Sequence, residues 1–217
     1  MHTPLKVWIN LRRPTAADFD QIYRTSRWAP ALPWYHPEVP KLLAWAIHQR
    51  ARCGRALDIG CGDGSCSVYL ARAGYQVTSL DFAKAAIEMT GGAARSAGVK
   101  LDVVWANVLN WSNSERFDLI LDSSCLHVRA FRNADRPRYK EQLLKWLGDE
   151  GDYILVHFDR MGPFDWRPVG PRRRSRREIL RFFSPELVEH ATDFCDRNVP
   201  LPVGPVVRER AYWFQRS

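Results

Sequence analysis

The chain has 217 residues, 46% of them hydrophobic and 26% charged, which suits one globular α/β domain with a buried core and excludes a disordered polymer. The longest apolar stretch, near Leu42 to Ile47, is far too short to span a membrane, and the opening MHTPLKVWINLRR lacks the sustained apolar region of a secretory signal. The net charge of +8 is uneven: eight arginines against Asp165 and Glu178 between Arg160 and Arg181 supply +6 of it, so the surface as a whole is not built for nucleic acid.

In chain order, the first fifty residues, rich in Trp and Pro, predict a helical cover (1–53). A core with alternating strands and helices follows (54–160). Arg55–Cys61 is strand-like, Ser65–Ala73 helical and closed by Gly74. Gln76–Phe82 is the next strand and Ala83–Ser96 the next helix, closed by Gly98. Leu101–Leu109 and Phe117–Ser123 are apolar runs of strand length. Arg136–Leu147 predicts a helix ending at Gly148, before a strand over Tyr153–Phe158. Such alternation predicts a doubly wound, mostly parallel sheet covered by helices on both faces. In the last part (161–217), Gly162–Arg181 is expected as a loop long enough to be a lid. Ser184–Ala191 is expected as a helix with Ser184 as cap and Pro185 at its first position. Phe194–Val199 and Arg210–Gln215 are expected to close the sheet as an antiparallel pair. Cys53, Cys61, Cys66, Cys125 and Cys195, odd in number and without a C-x-x-C pair, are expected to be reduced thiols of a cytoplasmic protein. They suggest neither a disulfide frame nor a zinc site.

The most informative stretch is RALDIGCGDGS, Arg55 to Ser65. A short apolar run ends in Asp58 and turns through Gly60, Gly62 and Gly64 into a helix. Glycines there let the backbone approach a ligand, and the helix N-terminus offers free N–H groups. A dinucleotide fingerprint would need Gly or Ala where Ser65 stands. An acid two residues before the first glycine repels a pyrophosphate but accepts hydrogen bonds from an ammonium group. Asp81, at the end of the second strand, is placed to hold ribose hydroxyls. Together Asp58 and Asp81 favour a cationic nucleoside over NAD, and S-adenosylmethionine has the required amino-acid tail, ribose and sulfonium.

With these residues, Arg55 to Val128 resembles the class I S-adenosylmethionine-dependent methyltransferases. LDIGCGDG is similar to the family's first motif and SLDF carries its ribose-binding acid. WANVLNW is similar to the segment that meets the adenine, and FDLILDSSCLHV to the strand and loop facing the acceptor. The resemblance implies a seven-stranded sheet with the cofactor, S-adenosyl-L-methionine, at the carboxyl ends of its strands. It implies cofactor contacts at Asp58, Gly60, Cys61, Gly62, Asp81, Phe82, Asn107, Val108, Asp122 and Ser123. Asn107 stands where the family usually has an acid; its carbonyl can still accept from an adenine amino group, or it can cap a turn. FDQIYRTSRWAPALPWYHPEVPKLL is similar to the opening of small-molecule methyltransferases of the thiopurine, thiol and tellurite-resistance type, with Tyr35 in place of the aspartate that often follows PW. That likeness places Tyr23 with the acceptor and Trp34 beside the sulfonium, where an aromatic face favours a cation; Trp34 could equally anchor the cover.

At the acceptor end, Asp122 and His127 are the candidate catalytic groups. His127 could serve as a base or as a hydrogen-bonded loop residue, while His157, inside a strand, is expected to be structural. No D/N-P-P-Y sequence follows the fourth strand, which disfavours methylation of DNA bases, and no Asp, Glu and His spacing suits a metal. The arginine run, Arg172 and Arg173 foremost, is either a solvated tract, a site for an anionic acceptor, or a contact for an RNA backbone; nucleic acid is the disfavoured partner because no RNA-binding module is appended. The function expected is methyl transfer to a small-molecule acceptor by in-line displacement, with sulfur slightly ahead of oxygen or nitrogen. The alternatives are an RNA or protein methyltransferase docking through Arg172–Arg177, or a catalytically silent domain that binds the cofactor. Oligomeric state is not legible.

Overall fold

The computed structural model describes residues 14–26, 29–32, 34–50, 53–128, 132–160, 162, 172–198 and 206–217. Two helices precede the sheet. In α1 (Ala16–Ser26) the inward residues Phe19, Ile22, Tyr23 and Ser26 recur every three or four positions, as one helix face requires. Its start is fixed by Thr15 and Asp18, each side chain accepting the other's backbone N–H. α2 (Lys41–Gln49) buries Leu42, Leu43 and Ala46.

The core then alternates: β1 (Arg55–Ile59), α3 (Ser65–Arg72), β2 (Gln76–Asp81), α4 (Lys84–Ala97), β3 (Asp102–Trp105), β4 (Phe117–Ser123), α5 (Arg136–Trp146), β5 (Leu147–Phe158), α6 (Arg176–Phe183), β6 (Leu187–Asn198) and β7 (Val206–Arg216). The seven strands form one sheet in the order β3-β2-β1-β4-β5-β7-β6. β1 to β5 pair in parallel, while β7 runs antiparallel to both β5 and β6. The chain crosses from the β3 edge back to β4 beside β1. Such a reversal of strand order opens a crevice at the carboxyl ends of the central strands, where ligands of open α/β sheets sit.

Period-two alternation divides the core into two layers. Leu57, Ile59, Ile120, Tyr153, Leu155, Tyr212 and Phe214 pack on one face with Tyr139, Leu143 and Trp146 of α5 and Ile179 and Phe183 of α6. Ala56, Val77, Leu119, Leu121, Ile154, Val156, Ala211 and Trp213 face the other way, onto Leu42, Leu43 and Ala46 of α2 and Leu70 of α3.

Three expectations change. Ser184–Ala191 is not a helix: Ser184 ends α6 and β6 begins at Leu187. The capping signal lies earlier, at Ser175, whose hydroxyl accepts the Glu178 N–H while Glu178 accepts the Ser175 N–H. Pro185 therefore follows a helix stop, a position proline commonly takes, instead of opening a helix. The expected loop Gly162–Arg181 thus includes a helix from Arg176 onward, and 163–171 lie outside the described residues. Finally, β3 stops at Trp105, short of the expected Leu109. The Ala106 N–H still reaches the Asp81 carbonyl at 3.0 Å, and the chain then turns, with the Asn110 and Trp111 N–H groups donating to the Asn107 carbonyl. Residues 1–13 of the cover and Val199 also lie outside the described residues.

Candidate cofactor and acceptor site

The glycine turn joins β1 to α3 at the carboxyl edge. The Gly60 and Cys61 N–H groups both donate to the Leu80 carbonyl, at 2.7 and 3.0 Å, which bends the chain over the end of β2. Gly60, Gly62 and Gly64 have φ of 72°, 58° and 82°, in the left-handed region that favours glycine. At Gly62 space matters as well, since a Cβ there would stand 3.0 Å from the Tyr23 hydroxyl.

Asp81 fastens this turn to the next one. Its Oδ2 accepts the Gly62 N–H at 3.1 Å and its Oδ1 the Ala83 N–H at 2.9 Å. Asp58 lies beneath the turn, 1% exposed, its Oδ2 accepting the Ser67 hydroxyl at 2.6 Å, which in turn accepts from Ser79. Asp122 is wholly buried at the end of β4. Its Oδ1 accepts the Cys125 and Leu126 N–H groups and its Oδ2 the Tyr139 hydroxyl. Among the described residues none of the three is ion-paired to a base. Desolvation raises Asp58 to about 7, with Asp63, Asp81 and Asp122 adding repulsion. Burial likewise lifts Asp81 and Asp122 to about 6 each. Three buried carboxylates without a cation form a pocket of unbalanced negative potential that a cationic ligand would relieve.

The cover helix sits on this turn. Asp20 Oδ1 accepts the Ala85 N–H at 2.6 Å, tying α1 to the start of α4. Phe19, Trp34 and Phe82 form an aromatic cluster with centroids 5.4 to 5.8 Å apart along Phe19, and Tyr23 meets Trp34 edge-on at 5.6 Å. Tyr23, expected with the acceptor, lies with its hydroxyl against Gly62 of the glycine turn. Asn107 follows β3, and its Oδ1 accepts the Leu109 N–H at 2.9 Å, so the side chain shapes its own turn. Val108 is buried in the core layer beside it. Trp105, not singled out in the sequence, is 63% exposed and donates its indole N–H to the Phe82 carbonyl, at the rim of the site.

On the acceptor side the two candidate catalytic groups are engaged structurally. Asp122 holds the β4–α5 loop, and its neighbour Ser124 adopts φ 83°, so the chain breaks sharply after Ser123. His127 is 3% exposed and stacks on Phe158 at 4.4 Å. Its Nδ1 accepts the Phe158 N–H at 3.3 Å. Burial, with His157 and Arg173 nearby, pushes its pKa well below the usual histidine value. A neutral ring whose Nδ1 accepts must carry its proton on Nε2, so His127 offers a donor where the sequence suggested a base. Arg172 is tied to this loop, its N–H donating to the His127 carbonyl at 2.9 Å. The side chains of Arg172 and Arg174 both donate to Asn133 Oδ1, a residue that sequence reasoning did not flag. Among the described residues no cluster of His, Cys, Asp and Glu could hold a metal, and no helix is long and apolar enough to cross a membrane.

Comparison with known proteins follows the same lines. Residues 56–151 match the family described as methyltransferase domain. A 2-heptyl-1-hydroxyquinolin-4(1H)-one methyltransferase of Mycobacteroides abscessus is 30% identical over 145 residues, covering 65% of this chain and 60% of the relative. A protein named "Probable thiol methyltransferase 2" from Arabidopsis thaliana is 32% identical over 120 residues, covering 54% and 50%. The chain therefore spans about half the length of the curated relatives it matches. Among solved structures, the 1,6-didemethyltoxoflavin-N1-methyltransferase of Burkholderia thailandensis, with S-adenosylhomocysteine bound, superposes with TM-score 0.70 at 20% identity over 92% of this chain and 87% of that one. TehB of Haemophilus influenzae gives 0.66 at 15% identity over 93% and 67%. At these identities the structures speak to the fold alone. Fold, motif positions and family match agree: residues 56–151 match the methyltransferase domain, within a sheet of the Rossmann-like methyltransferase fold.

Proposed function

We propose that the chain transfers a methyl group from S-adenosylmethionine to a small-molecule acceptor by in-line displacement. The observation that carries this is the group of buried carboxylates, Asp58, Asp81 and Asp122, under a left-handed glycine turn and without a basic partner among the described residues. That environment suits a ligand bearing an ammonium and a sulfonium. When bound, the cofactor supplies a methyl group activated on positively charged sulfur. Gly60, Cys61 and Gly62, with Asp58 beneath them, would hold its amino-acid end. Asp81 would accept from the ribose, using lone pairs that Gly62 and Ala83 leave open. Phe82, Asn107, Val108 and Ser123 would line the remaining wall. Tyr23 and Trp34 would cover the site and exclude water.

The acceptor side supports a soft nucleophile. Asp122 has three donors on its carboxylate and His127 is held in the tautomer that donates. With neither free to take a proton, an alcohol would be poorly served, whereas a thiol, already partly thiolate near neutral pH, needs little help. Sulfur, ahead of oxygen or nitrogen, is the inference, and the named activities of the quinolone and thiol relatives are compatible with a small acceptor. The test is a screen with labelled S-adenosylmethionine against matched thiol, phenol and amine acceptors. Turnover of thiols with phenols at background is the expected outcome. Preferential turnover of phenols, with activity following the ionisation of a histidine, would contradict the assignment of His127 as a donor.

A further inference from the structure

Beyond the cofactor turn, the carboxyl edge carries a second concentration of charge, of opposite sign. Arg172 to Arg174 are fixed in place: Arg174 donates its N–H to the Phe158 carbonyl at 3.1 Å and accepts the Arg160 N–H at 3.1 Å, forming a parallel bridge beside Asp159. Asn133 Oδ1 accepts from Arg172 Nη1 at 2.6 Å and from Arg174 Nη2 at 3.1 Å, so the two guanidinium groups converge on one oxygen. One helical turn after Asn133, Arg136 opens α5 with its guanidinium carbon 4.0 Å from the centre of the Phe182 ring. Among the described residues, Arg136 Nε and Nη2 and Arg174 Nε are buried with no hydrogen-bond partner. Neither of these two arginines is ion-paired there, because the nearby carboxylates are committed elsewhere. Asp159 binds Arg210 at 2.7 Å, Asp135 binds Arg132 at 3.1 Å, and Glu178 is held by Ser175 and by Arg160 at 3.4 Å.

The energetics of this group are unfavourable as it stands. Each buried N–H left without an acceptor destabilises the fold. Burial together with Arg174 and Arg172 pushes the Arg136 guanidinium down to about 10. His157 is 1% exposed and donates Nδ1–H to the Phe158 carbonyl at 2.8 Å, leaving Nε2 buried without a partner among the described residues. Burial, Arg174 and Arg136 keep it neutral, so it adds no further positive charge to the cluster. A structure that holds like charges together, with donors unmet, is arranged for an incoming acceptor of negative charge.

We propose that Arg136, Arg172 and Arg174 form an oxyanion subsite that receives a carboxylate or phosphate group carried by the acceptor, which makes the substrate class an anionic small molecule. The position, at the carboxyl ends of β4 and β5 on the same edge as the glycine turn, rests on the reading of that edge as the acceptor side. Two planar forks and a third guanidinium match the paired oxygens of either group. Arg136 was not among the residues the sequence suggested; a proline-containing helix start gives no sign of an anion site.

The test titrates the full chain, with and without saturating S-adenosylhomocysteine, with sodium succinate and separately with inorganic phosphate, following binding by calorimetry and thermal shift. Arg136→Gln and Arg174→Gln are compared with Arg181→Gln, an exposed position on α6. Each of the first two is expected to weaken anion binding at least tenfold while S-adenosylhomocysteine affinity stays within twofold. Arg181→Gln is expected to leave both unchanged. Without anion, Arg136→Gln should melt no lower than the wild type, because it removes repulsion and unmet donors; Arg136→Lys, which keeps charge but not the fork, is the second variant if the first does not fold. Stronger binding of succinate would point to a carboxylate acceptor and stronger binding of phosphate to a phosphorylated one. Absence of binding by both anions, equal losses in all three variants, or binding only of a single-stranded oligonucleotide that neither anion displaces would overturn the proposal. Failure of S-adenosylhomocysteine to bind would refute the cofactor reading instead, and the titration without cofactor would still report on the arginines.

Discussion

Replacing Asp81 by Asn separates its charge from its shape. The carboxylate accepts the Gly62 and Ala83 N–H groups; an Asn keeps one acceptor oxygen and turns an amide N–H2 toward the other donor. One unmet buried donor costs about 1–3 kcal/mol. Against this, Asp81 titrates at about 6 in the folded chain because of burial, against the 3.8 of an unperturbed aspartate. That difference corresponds to about 3 kcal/mol that the ionised side chain costs the fold above that pH. The two effects oppose each other, so the variant should have wild-type stability to within roughly 2 kcal/mol at pH 7.5. A folded pKa above the unfolded one means that the stabilising protonated form is fully present below 3.8 and lost as pH rises through 6. Relative to wild type, the variant should therefore lose about 1–2 kcal/mol between pH 7.5 and pH 5. Cofactor affinity behaves differently: loss of a charged hydrogen bond should weaken S-adenosylhomocysteine binding by about 1.5–3 kcal/mol, on the order of 10- to 150-fold. Urea denaturation at both pH values, with calorimetry on the same preparations, gives all three numbers. A folded variant that binds within twofold of wild type would remove Asp81 from the site.

Other expectations follow from the same contacts. Tyr139→Phe leaves Asp122 Oδ2 without its buried donor and should cost about 1–3 kcal/mol in urea denaturation at neutral pH, less in acid where Asp122 is protonated; equal losses at both would show that Asp122 does not titrate as described. Gly62→Ala meets the Tyr23 hydroxyl at 3.0 Å in a left-handed backbone. It should destabilise the chain by about 1–2 kcal/mol, and pairing it with Tyr23→Phe should recover only the contact component, as a double-mutant cycle can measure. His127 is held neutral by burial, so the pH profile of methyl transfer should show no histidine inflection near 6.5; one that disappears in His127→Gln would restore it as a base.

Most of the sheet could be read from period-two apolar runs and glycine stops, because buried parallel strands and helix C-caps leave local marks. The first motif was legible for the same reason: Gly60, Gly62 and Gly64 sit in conformations that other residues seldom adopt. The errors arise where local signals compete or the partner is distant. Ser184–Pro185 resembles a helix start, but Ser175 with Glu178 forms the real cap, and tertiary pairing with β7 draws Leu187 onward into a strand. Asp122 and His127 stand at the right edge, yet each is also held by a partner distant in sequence, Tyr139 and Phe158, which nothing near them announces. Likewise, the convergence of Arg172 and Arg174 depends on Asn133, some forty residues earlier in the chain.

Whether the acid-lined glycine turn binds the cationic cofactor is decided by calorimetric titration of the unmodified chain with S-adenosylmethionine near pH 6 and pH 8, each in two buffers of different ionisation enthalpy. Because Asp58 is raised to about 7 and Asp81 to about 6 in the free protein, binding a cation should draw both toward their ionised forms. Tighter binding is expected at the higher pH, with proton release on binding at the lower one. Absence of binding at both, or binding that neither releases protons nor strengthens with pH, would contradict that role for the turn.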